Sequence, residues 1–370
     1  MSERGRSDVI APLQFLRGIA ACGVVVEHLL ARYERRDVPL SVLPDLMRQL
    51  GQTGVLTFFA ISGFIMVHIL LRKAAGTDRT AAGWRFARDR FTRIAPLYYL
   101  TTVLNVLFAY ATLGFSTNSS FQFPAVAEWI HSLLFIPYRK ADGLIQPVYG
   151  LGWTLEYEIF FYALFAIGMV LGVRRGLPFV FLTLLALAAA GSWINAPQQA
   201  FGLSVFAYFY TRPVLLYFAI GMAISLIRQN LELRLPVVSA PLSGSVALAL
   251  VLVAAMKLFP GMQMIAITAA LAVVTLVRPT PGAAPTFERS ALALGNASYA
   301  IYLTHSFFLG ALATATASLV GGRDVLIYPV TLLACAGCAI AGWLVWRFVE
   351  YPLTVRLRGR PLAAPMTVAP

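Results

Sequence analysis

The sequence predicts an all-α integral membrane protein, a polytopic helical bundle of about ten transmembrane helices with both termini in the cytoplasm. Hydrophobic residues make up 59% of the 370 residues and charged residues 12%, and the mean hydropathy is +0.75. Soluble proteins average about 25% charged residues. The apolar residues also occur in blocks of the ~17–25 residues that a helix needs to cross a bilayer. Composition and block length together therefore place the chain in a membrane.

Ten apolar blocks define the predicted spans. They cover residues 10–31, 52–71, 94–115, 151–172, 177–194, 207–227, 238–257, 262–278, 292–318 and 326–348. With the N-terminus inside, 19 of the 29 Lys and Arg residues fall in predicted cytoplasmic segments and 8 in outer segments, while Arg17 and Arg212 fall within spans. Because cytoplasmic loops carry an excess of Lys and Arg, this bias predicts the orientation.

We expect one membrane domain over residues 9–355 and a short disordered cytoplasmic tail over 356–370. The net charge of +13 lies mostly in short loops between spans. Positive-inside bias accounts for such loops, so the charge does not indicate a nucleic-acid partner.

The cysteines Cys22, Cys335 and Cys338 fall in predicted spans. We interpret them as small packing residues rather than a metal or redox site, and we expect no metal.

Two ionisable residues, Arg17 and His28, lie inside the first predicted span. A charged group at a helix centre costs ~2.5–3.5 kcal/mol on insertion scales, so such residues are functional candidates. Eleven residues at 100° each bring His28 to within about 20° of Arg17 and roughly 16 Å further along the helix. The topology puts Arg17 in the inner half of the span and His28 near its outer end. We interpret this face as a path reached from both sides of the membrane; a packed histidine with no chemical role is the alternative.

The fourth predicted span enters from the outside and carries Glu156 and Glu158. These residues project about 200° apart, so they cannot both face one pocket. Glu158 should reach the depth of His28 and shares a helix face with Tyr162, whereas Glu156 should lie closer to the surface. Because a carboxylate in a membrane needs a partner or a wet cavity, we expect His28 and Glu158 to pair. Such a dyad can deprotonate a hydroxyl or carry an acyl group.

Residues 85–99 form a predicted inner loop that leads into the third span and holds four arginines. Two of them, Arg90 and Arg93, are three residues apart and would share a helix face. The planar guanidinium group is well suited to binding phosphate oxygens at a membrane surface. The alternative is that these residues only anchor the loop on the cytoplasmic side.

A polar stripe runs along the ninth predicted span. Its members are Ser298, Tyr302 and His305, at positions i, i+4 and i+7. Residues with this spacing lie on one helix face. A polar stripe in a span usually faces the bundle interior rather than lipid. His305 is therefore expected either to bind substrate or to tie helices together.

At these residues the chain resembles the membrane acyltransferase-3 family, and most closely its exopolysaccharide-production branch. Five motifs carry the resemblance, in the family's order and over nearly the whole chain. They are Leu16-Arg17-Gly18-Ile19-Ala20-Ala21 with His28, Phe58-Phe59-Ala60-Ile61-Ser62-Gly63-Phe64, Arg90-x-x-Arg93-Ile94-x-Pro96-Leu97-Tyr98, Trp153-Thr154-Leu155-x-x-Glu158-x-Phe160-x-Tyr162, and Ser298-Tyr299-x-Ile301-Tyr302-Leu303-x-His305. The family usually has Ser where this chain has Thr154, a change that keeps the hydroxyl.

The resemblance implies transfer of an acyl group, commonly acetyl, from acyl-CoA to a sugar hydroxyl of an exported or cell-envelope polysaccharide, at the bacterial inner membrane. It points to His28 and Glu158 as the catalytic residues. The residues expected to bind the acyl-CoA donor from the cytoplasm are Arg17, Arg90 and Arg93. The residues expected to contact the glycan or lipid-linked saccharide acceptor are Trp153, Tyr162, Ser298, Tyr302 and His305.

The sequence therefore predicts an integral membrane O-acyltransferase that works in the lipid bilayer, with proteins of polysaccharide synthesis or export as candidate partners. Two other classes stay open at this point. A transporter of a glycan or lipid-linked sugar could use the same buried charges as its substrate path, and a non-catalytic subunit of a polysaccharide export complex could carry them for assembly. Direct transfer and an acyl-histidine intermediate also stay open.

Overall fold

The computed structural model describes residues 10–38, 44–73, 78–112, 123–231, 234–280, 284–321 and 323–358. Within these ranges the chain is almost entirely helical, which confirms the all-α prediction. The helices are α1 (Ala11–Glu34), α2 (Pro44–Lys73), α3 (Arg79–Thr112), α4 (Val126–Leu133), α5 (Trp153–Leu171), α6 (Val173–Ala190), α7 (Leu203–Phe209), α8 (Leu215–Leu231), α9 (Ala240–Met256), α10 (Met262–Thr275), α11 (Pro285–Gly321), α12 (Ile327–Val345) and α13 (Tyr351–Arg358). The two-residue strands β1 (Val237–Val238) and β2 (Arg278–Pro279) pair in parallel, and a π-helical turn links α12 to α13.

The apolar helices identify a multi-pass membrane protein. Among the described residues, seven helical segments are long and apolar enough to cross a bilayer. They are Ala11–Glu34, Asp45–His68, Arg79–Ala111, Gly150–Leu171, Val173–Trp193, Pro285–Gly321 and Ile327–Arg358. Three shorter apolar helices, α8, α9 and α10, lie where three further spans are predicted. The number of crossings and the orientation of the termini stay predictions.

The arginine-rich segment 85–99 is helical, as the expected shared helix face of Arg90 and Arg93 requires, and α3 begins well before residue 94, where the third span was predicted to begin. Helix α3 begins at Arg79 and continues through Pro96 to Thr112. Hydropathy marks only the apolar part of a helix, whereas arginine is itself a good helix former. The helix therefore extends well beyond the apolar block.

The predicted sixth span, 207–227, is divided between α7 and α8. Pro213 lies in the break between them, and a residue before proline disfavours the helical conformation. Arg212 therefore lies in a turn between two helices rather than inside a continuous helix. Its guanidinium group lies 4.0 Å from the centre of the Tyr208 ring and donates to the Gly191 carbonyl at 2.8 Å, so this cation closes the end of α6.

The chain divides into two compact units. The first unit takes its described residues from Met1–His68 and Ile220–Val349, and the second from Ile69–Ala219 and Glu350–Ala363. In the first unit, α1 contacts α9, α10, α11 and α12, with its most extensive interface on α11. Helices α1 and α11 approach closely at Gly295, which has no side chain. Gln14 of α1 occupies the space that a side chain at this position would need. Small residues at such interfaces allow van der Waals packing of membrane helices.

The second unit is built on α3, α5 and α6. Helix α13 packs on α3, where Arg358 donates to the main-chain carbonyl of Asp89 and to Thr92 Oγ1, the latter at 3.4 Å. Residues 356–358 of the expected disordered tail are therefore helical, and residues 359–370 lie outside the described part of the chain.

The segment between α4 and α5 is folded onto the second unit. The Val148 amide donates to Ser132 Oγ at 2.8 Å, and Tyr99 of α3 donates to the Leu133 carbonyl at 2.6 Å. Burial raises the pKa of Tyr138 to about 12. Burial also lowers the pKa of Lys140, against the opposing effect of nearby carboxylates. This polar segment is therefore packed rather than freely solvated.

Candidate active site

Two histidines meet inside the first unit. His28 of α1 and His305 of α11 lie with Nδ1 of His28 2.7 Å from Nε2 of His305. Their rings are nearly parallel, with an interplanar angle of 8° and a centroid distance of 4.9 Å. His305 is 1% exposed, whereas His28 is only partly buried. The pair therefore joins one fully buried residue and one that is partly exposed.

Helix α11 holds His305 through its own backbone. Nδ1 of His305 lies 3.1 Å from the carbonyl oxygen of Ile301, one helical turn earlier. A carbonyl oxygen only accepts hydrogen bonds, so this nitrogen carries the proton. Both ring nitrogens of His305 thus have partners.

Contacts on the C-terminal side of the pair fix α1 against α11. Arg32 donates to the Ser306 carbonyl at 2.6 Å, and the hydroxyls of Tyr33 and Thr316 lie 2.6 Å apart. These bonds begin one turn beyond His28 on α1 and reach Thr316, about three turns beyond His305 on α11. His28 and His305 consequently face each other at a fixed depth.

Two other residues of the polar stripe lie in the same helix as His305. Ser298 is fully buried and donates to the Gly295 carbonyl at 2.8 Å, a bond within its own helix. The Tyr302 ring lies edge-on to Phe58 at 6.3 Å and at the same centroid distance from the His305 ring. Tyr302 therefore borders the histidine pair, whereas Ser298 lies about two turns away from it along α11.

Arg17 lies nearer the N-terminal end of α1 than His28 does, and it is partly buried. Its Nη1 donates to Gln14 Oε1 at 3.1 Å, one turn earlier. Along the helix it is about 16 Å from His28, which is consistent with two separate positions on one face.

The second unit gathers Glu158, Tyr162 and Arg90 on facing sides of α5 and α3. The Tyr162 hydroxyl donates to Glu158 Oε1 at 3.3 Å. The Arg90 guanidinium carbon lies 5.8 Å from the centre of the Tyr162 ring and 5.6 Å from that of Phe86. An aromatic face within about 6 Å attracts a cation. Arg93, one turn further along α3, is also partly buried.

Glu156 is fully buried, so the expectation that it lies close to the surface is wrong. Tyr98 and Pro147 cover the N-terminal end of α5 at Gly152, and Tyr210 donates to the Glu156 carbonyl at 3.3 Å. Among the described residues, no hydrogen-bond partner reaches either oxygen of the Glu156 carboxyl group. The folded segment before α5 is what removes this residue from the surface.

The sequence-predicted pairing of His28 with Glu158 joins residues of two different units, and it stays a prediction. The pairing of His28 with His305 was not predicted, although each histidine lies within a predicted span. Trp153 lies at the start of α5, edge-on to the Tyr157 ring at 6.0 Å.

The three cysteines are free thiols, with Cys335 Sγ 3.9 Å from the Cys22 carbonyl oxygen. Among the described residues, no three His, Cys, Asp or Glu side chains gather in a way that could hold a metal ion.

Fold and site together define a multi-pass helical membrane protein that carries ionisable side chains inside its helical bundle. Comparison with known proteins makes the class specific. The acyltransferase-3 family, described as "Acyltransferase domain", matches residues 10–349, and the chain belongs to this family of membrane acyltransferases.

One curated relative is the exopolysaccharide production protein ExoZ of Rhizobium meliloti (strain 1021). It is 32% identical to this chain over 323 residues, which cover 85% of this chain and 93% of the relative. No solved structure matches the chain.

Proposed function

We propose that this acyltransferase moves an acyl group, most simply acetyl, from acyl-CoA to a sugar hydroxyl of an exported or cell-envelope polysaccharide. The observation that carries the proposal is the contact between His28 and His305. A partly exposed histidine whose imidazole is held by a buried neighbour is the kind of group that acts as a base or nucleophile. The name of the relative, an exopolysaccharide production protein, supports a glycan acceptor.

The reaction needs one unprotonated imidazole nitrogen. In direct transfer, His28 accepts the proton of the sugar hydroxyl while the oxygen attacks the thioester carbonyl carbon. The new C–O bond replaces the C–S bond, and the CoA thiolate takes the proton back from His28. In the acyl-histidine route, the same nitrogen first attacks the thioester carbonyl carbon, the C–S bond breaks, and CoA leaves as the thiolate. The sugar oxygen then attacks the acyl carbon, the C–N bond breaks, and the hydroxyl proton passes through the freed imidazole nitrogen to the thiolate. Both routes end with the sugar ester and free CoA.

Donor binding is assigned to the arginines. Arg90 lies against the two aromatic rings of Phe86 and Tyr162. Guanidinium groups bind phosphate oxygens through two parallel bonds. We assign Arg90 and Arg93 to the phosphates of acyl-CoA and Arg17 to the path of the acyl chain toward His28.

Acceptor binding is assigned to the aromatic and hydroxyl residues predicted from the motifs. Trp153 and Tyr162 of α5 and Tyr302 of α11 present ring faces and polar edges, which suit contact with a saccharide. His28 is the proposed catalytic residue and Glu158 its proposed second partner. The proposed site of action is the bacterial inner membrane, with the acceptor arriving from the outer side.

The test compares the exported polysaccharide from a strain that lacks the gene with that of complemented strains. Complementation with the wild-type gene should restore the acyl signals in NMR and mass spectra, and His28→Ala should not restore them although the protein inserts normally. His131→Ala, in which the altered histidine lies against Phe201 in the second unit, should restore them fully. Acylated polysaccharide from the His28→Ala strain would refute the mechanism. Normal acylation with failed export in the gene-deficient strain would instead indicate a transporter or an export subunit.

A further inference from the structure

His305 is placed to decide which nitrogen of His28 reacts. Its Nδ1 hydrogen points to the Ile301 carbonyl at 3.1 Å. A neutral imidazole has one donor nitrogen and one acceptor nitrogen, so Nε2 of His305 carries a lone pair. That lone pair faces Nδ1 of His28 at 2.7 Å.

The same rule then applies to His28. Because Nε2 of His305 accepts, Nδ1 of His28 must donate, and in the neutral ring Nε2 of His28 is left without a proton. The Ile301 carbonyl thus fixes which nitrogen of His305 carries the proton, and His305 in turn fixes which nitrogen of His28 keeps its lone pair. That lone pair lies on the ring that is partly accessible, while the ring that fixes it is 1% exposed.

The backbone around Ile301 is held by a neighbouring helix. Gly342 of α12 lies so close that a Cβ built on it would be 2.8 Å from Ile301 N and 2.7 Å from its Cα. Real Cβ atoms essentially never approach other atoms this closely. The turn that carries the Ile301 carbonyl is therefore buttressed on the side of α12.

We propose that His305 is a positioning residue that holds His28 as the Nδ1–H tautomer, so that Nε2 of His28 is the reacting nitrogen. This inference rests on the proposed function of His28 and reassigns His305 from acceptor binding. His305 transfers no proton to the substrate; its contribution is to present the lone pair of its neighbour in one place and one direction. In a serine protease triad, loss of the equivalent orienting bond, which leaves the wrong tautomer, lowers kcat about 10⁴-fold.

The kinetic test uses two substitutions that differ in hydrogen-bonding capacity. His305→Gln places an amide oxygen close to the position of Nε2 and can still accept from His28 Nδ1. His305→Phe keeps a ring of similar shape but accepts no hydrogen bond. We expect His305→Phe to lower kcat of acyl transfer at least about 100-fold with KM for acetyl-CoA within about threefold of wild type, and His305→Gln to restore most of kcat. Thr304→Val, which removes a hydroxyl bonded within the same helix, serves as the matched control and should leave kcat unchanged.

A spectroscopic test separates the tautomer from the activity. The chain contains only four histidines, so ring ¹⁵N-labelled protein in lipid nanodiscs gives few signals, and the variants assign them. Wild-type His28 should show a protonated Nδ1 and a bare Nε2, and His305→Phe should shift it toward the Nε2–H form.

A protonated Nε2 in wild-type His28, or equal kcat values for His305→Gln and His305→Phe, would overturn the inference. Either result would leave the proposed function intact as long as His28→Ala abolishes acylation. Acylation by His28→Ala would remove the proposed function itself.

Discussion

The two units satisfy their ionisable groups in opposite ways. In the first unit, the histidine pair is complete within the protein, since one carbonyl and two rings account for three of the four ring nitrogens. In the second unit, Arg90 lies against two aromatic rings. Glu156 is buried there, and its carboxyl group has no hydrogen-bond partner among the described residues. In the proposed mechanism, the first arrangement leaves Nε2 of His28 free to react. The second leaves the Arg90 guanidinium group available to the phosphates of the donor.

The largest effect expected in the second unit distinguishes its two carboxyl groups. Glu158→Gln should lower acyl transfer at least about 100-fold if Glu158 takes part in the reaction, which is within the usual range for an acid or base group. Glu156→Gln, the same change two residues away, should leave transfer within about threefold of wild type. Acyl transfer from acetyl-CoA in isolated membranes measures both. Equal losses in the two variants would show that the reacting carboxyl group has been assigned to the wrong residue.

A smaller effect concerns donor binding by α3. Arg90→Gln should raise KM for acyl-CoA about tenfold or more with kcat little changed, because a phosphate contact binds the ground state and the transition state alike. Arg88→Gln removes the same charge from an exposed position beside Asp89 on the same helix and is the matched control. Steady-state kinetics over a range of acetyl-CoA concentrations separates KM from kcat. Similar KM values in the two variants would mean that Arg90 does not hold the donor.

The smallest expected effect is on stability, and here the two units should respond with opposite signs. Gly342→Ala inserts a methyl group against Ile301 and should destabilise the first unit by about 1–3 kcal/mol, as overpacking does. Glu156→Met replaces a buried carboxyl group that has no hydrogen-bond partner among the described residues by an apolar side chain of similar size, and should stabilise the second unit by about 1–3 kcal/mol. Thermal unfolding in detergent, read as a change in Tm, measures both. A fall in Tm for Glu156→Met would show that the carboxyl group is bound to a partner that matters for folding.

The positions of the helices were predictable from hydropathy, because a bilayer imposes both a length and an apolar composition on each span. Residues on one helix face were also predictable, because side chains three or four positions apart lie on the same side of a helix. Tyr162 and Glu158 were placed on one face of α5, and Arg90 and Arg93 on one face of α3, from residue spacing alone. The start of α3 at Arg79, before the predicted third span begins at residue 94, was missed, since hydropathy detects only the apolar part of a helix.

The contacts between helices were not predictable. The spacing within α1 and α11 shows that His28 and His305 are both unusual, but not that α1 and α11 are neighbours. Chain order would not suggest this contact, since nearly the whole sequence separates the two helices. The burial of Glu156 was missed for a similar reason, because it depends on how residues 134–149 fold over the start of α5. Tertiary packing decides both cases.

The bond from His305 to the Ile301 carbonyl has a consequence for which substitutions the chain should tolerate. Every amino acid supplies the same carbonyl group, so position 301 is free to vary in side chain as long as it stays helical and fits its surroundings. The stricter requirement falls on Gly342, which belongs to another helix and is not itself one of the bonded residues. In a library of single substitutions scored for acylation, position 342 should therefore be among the least tolerant in α12.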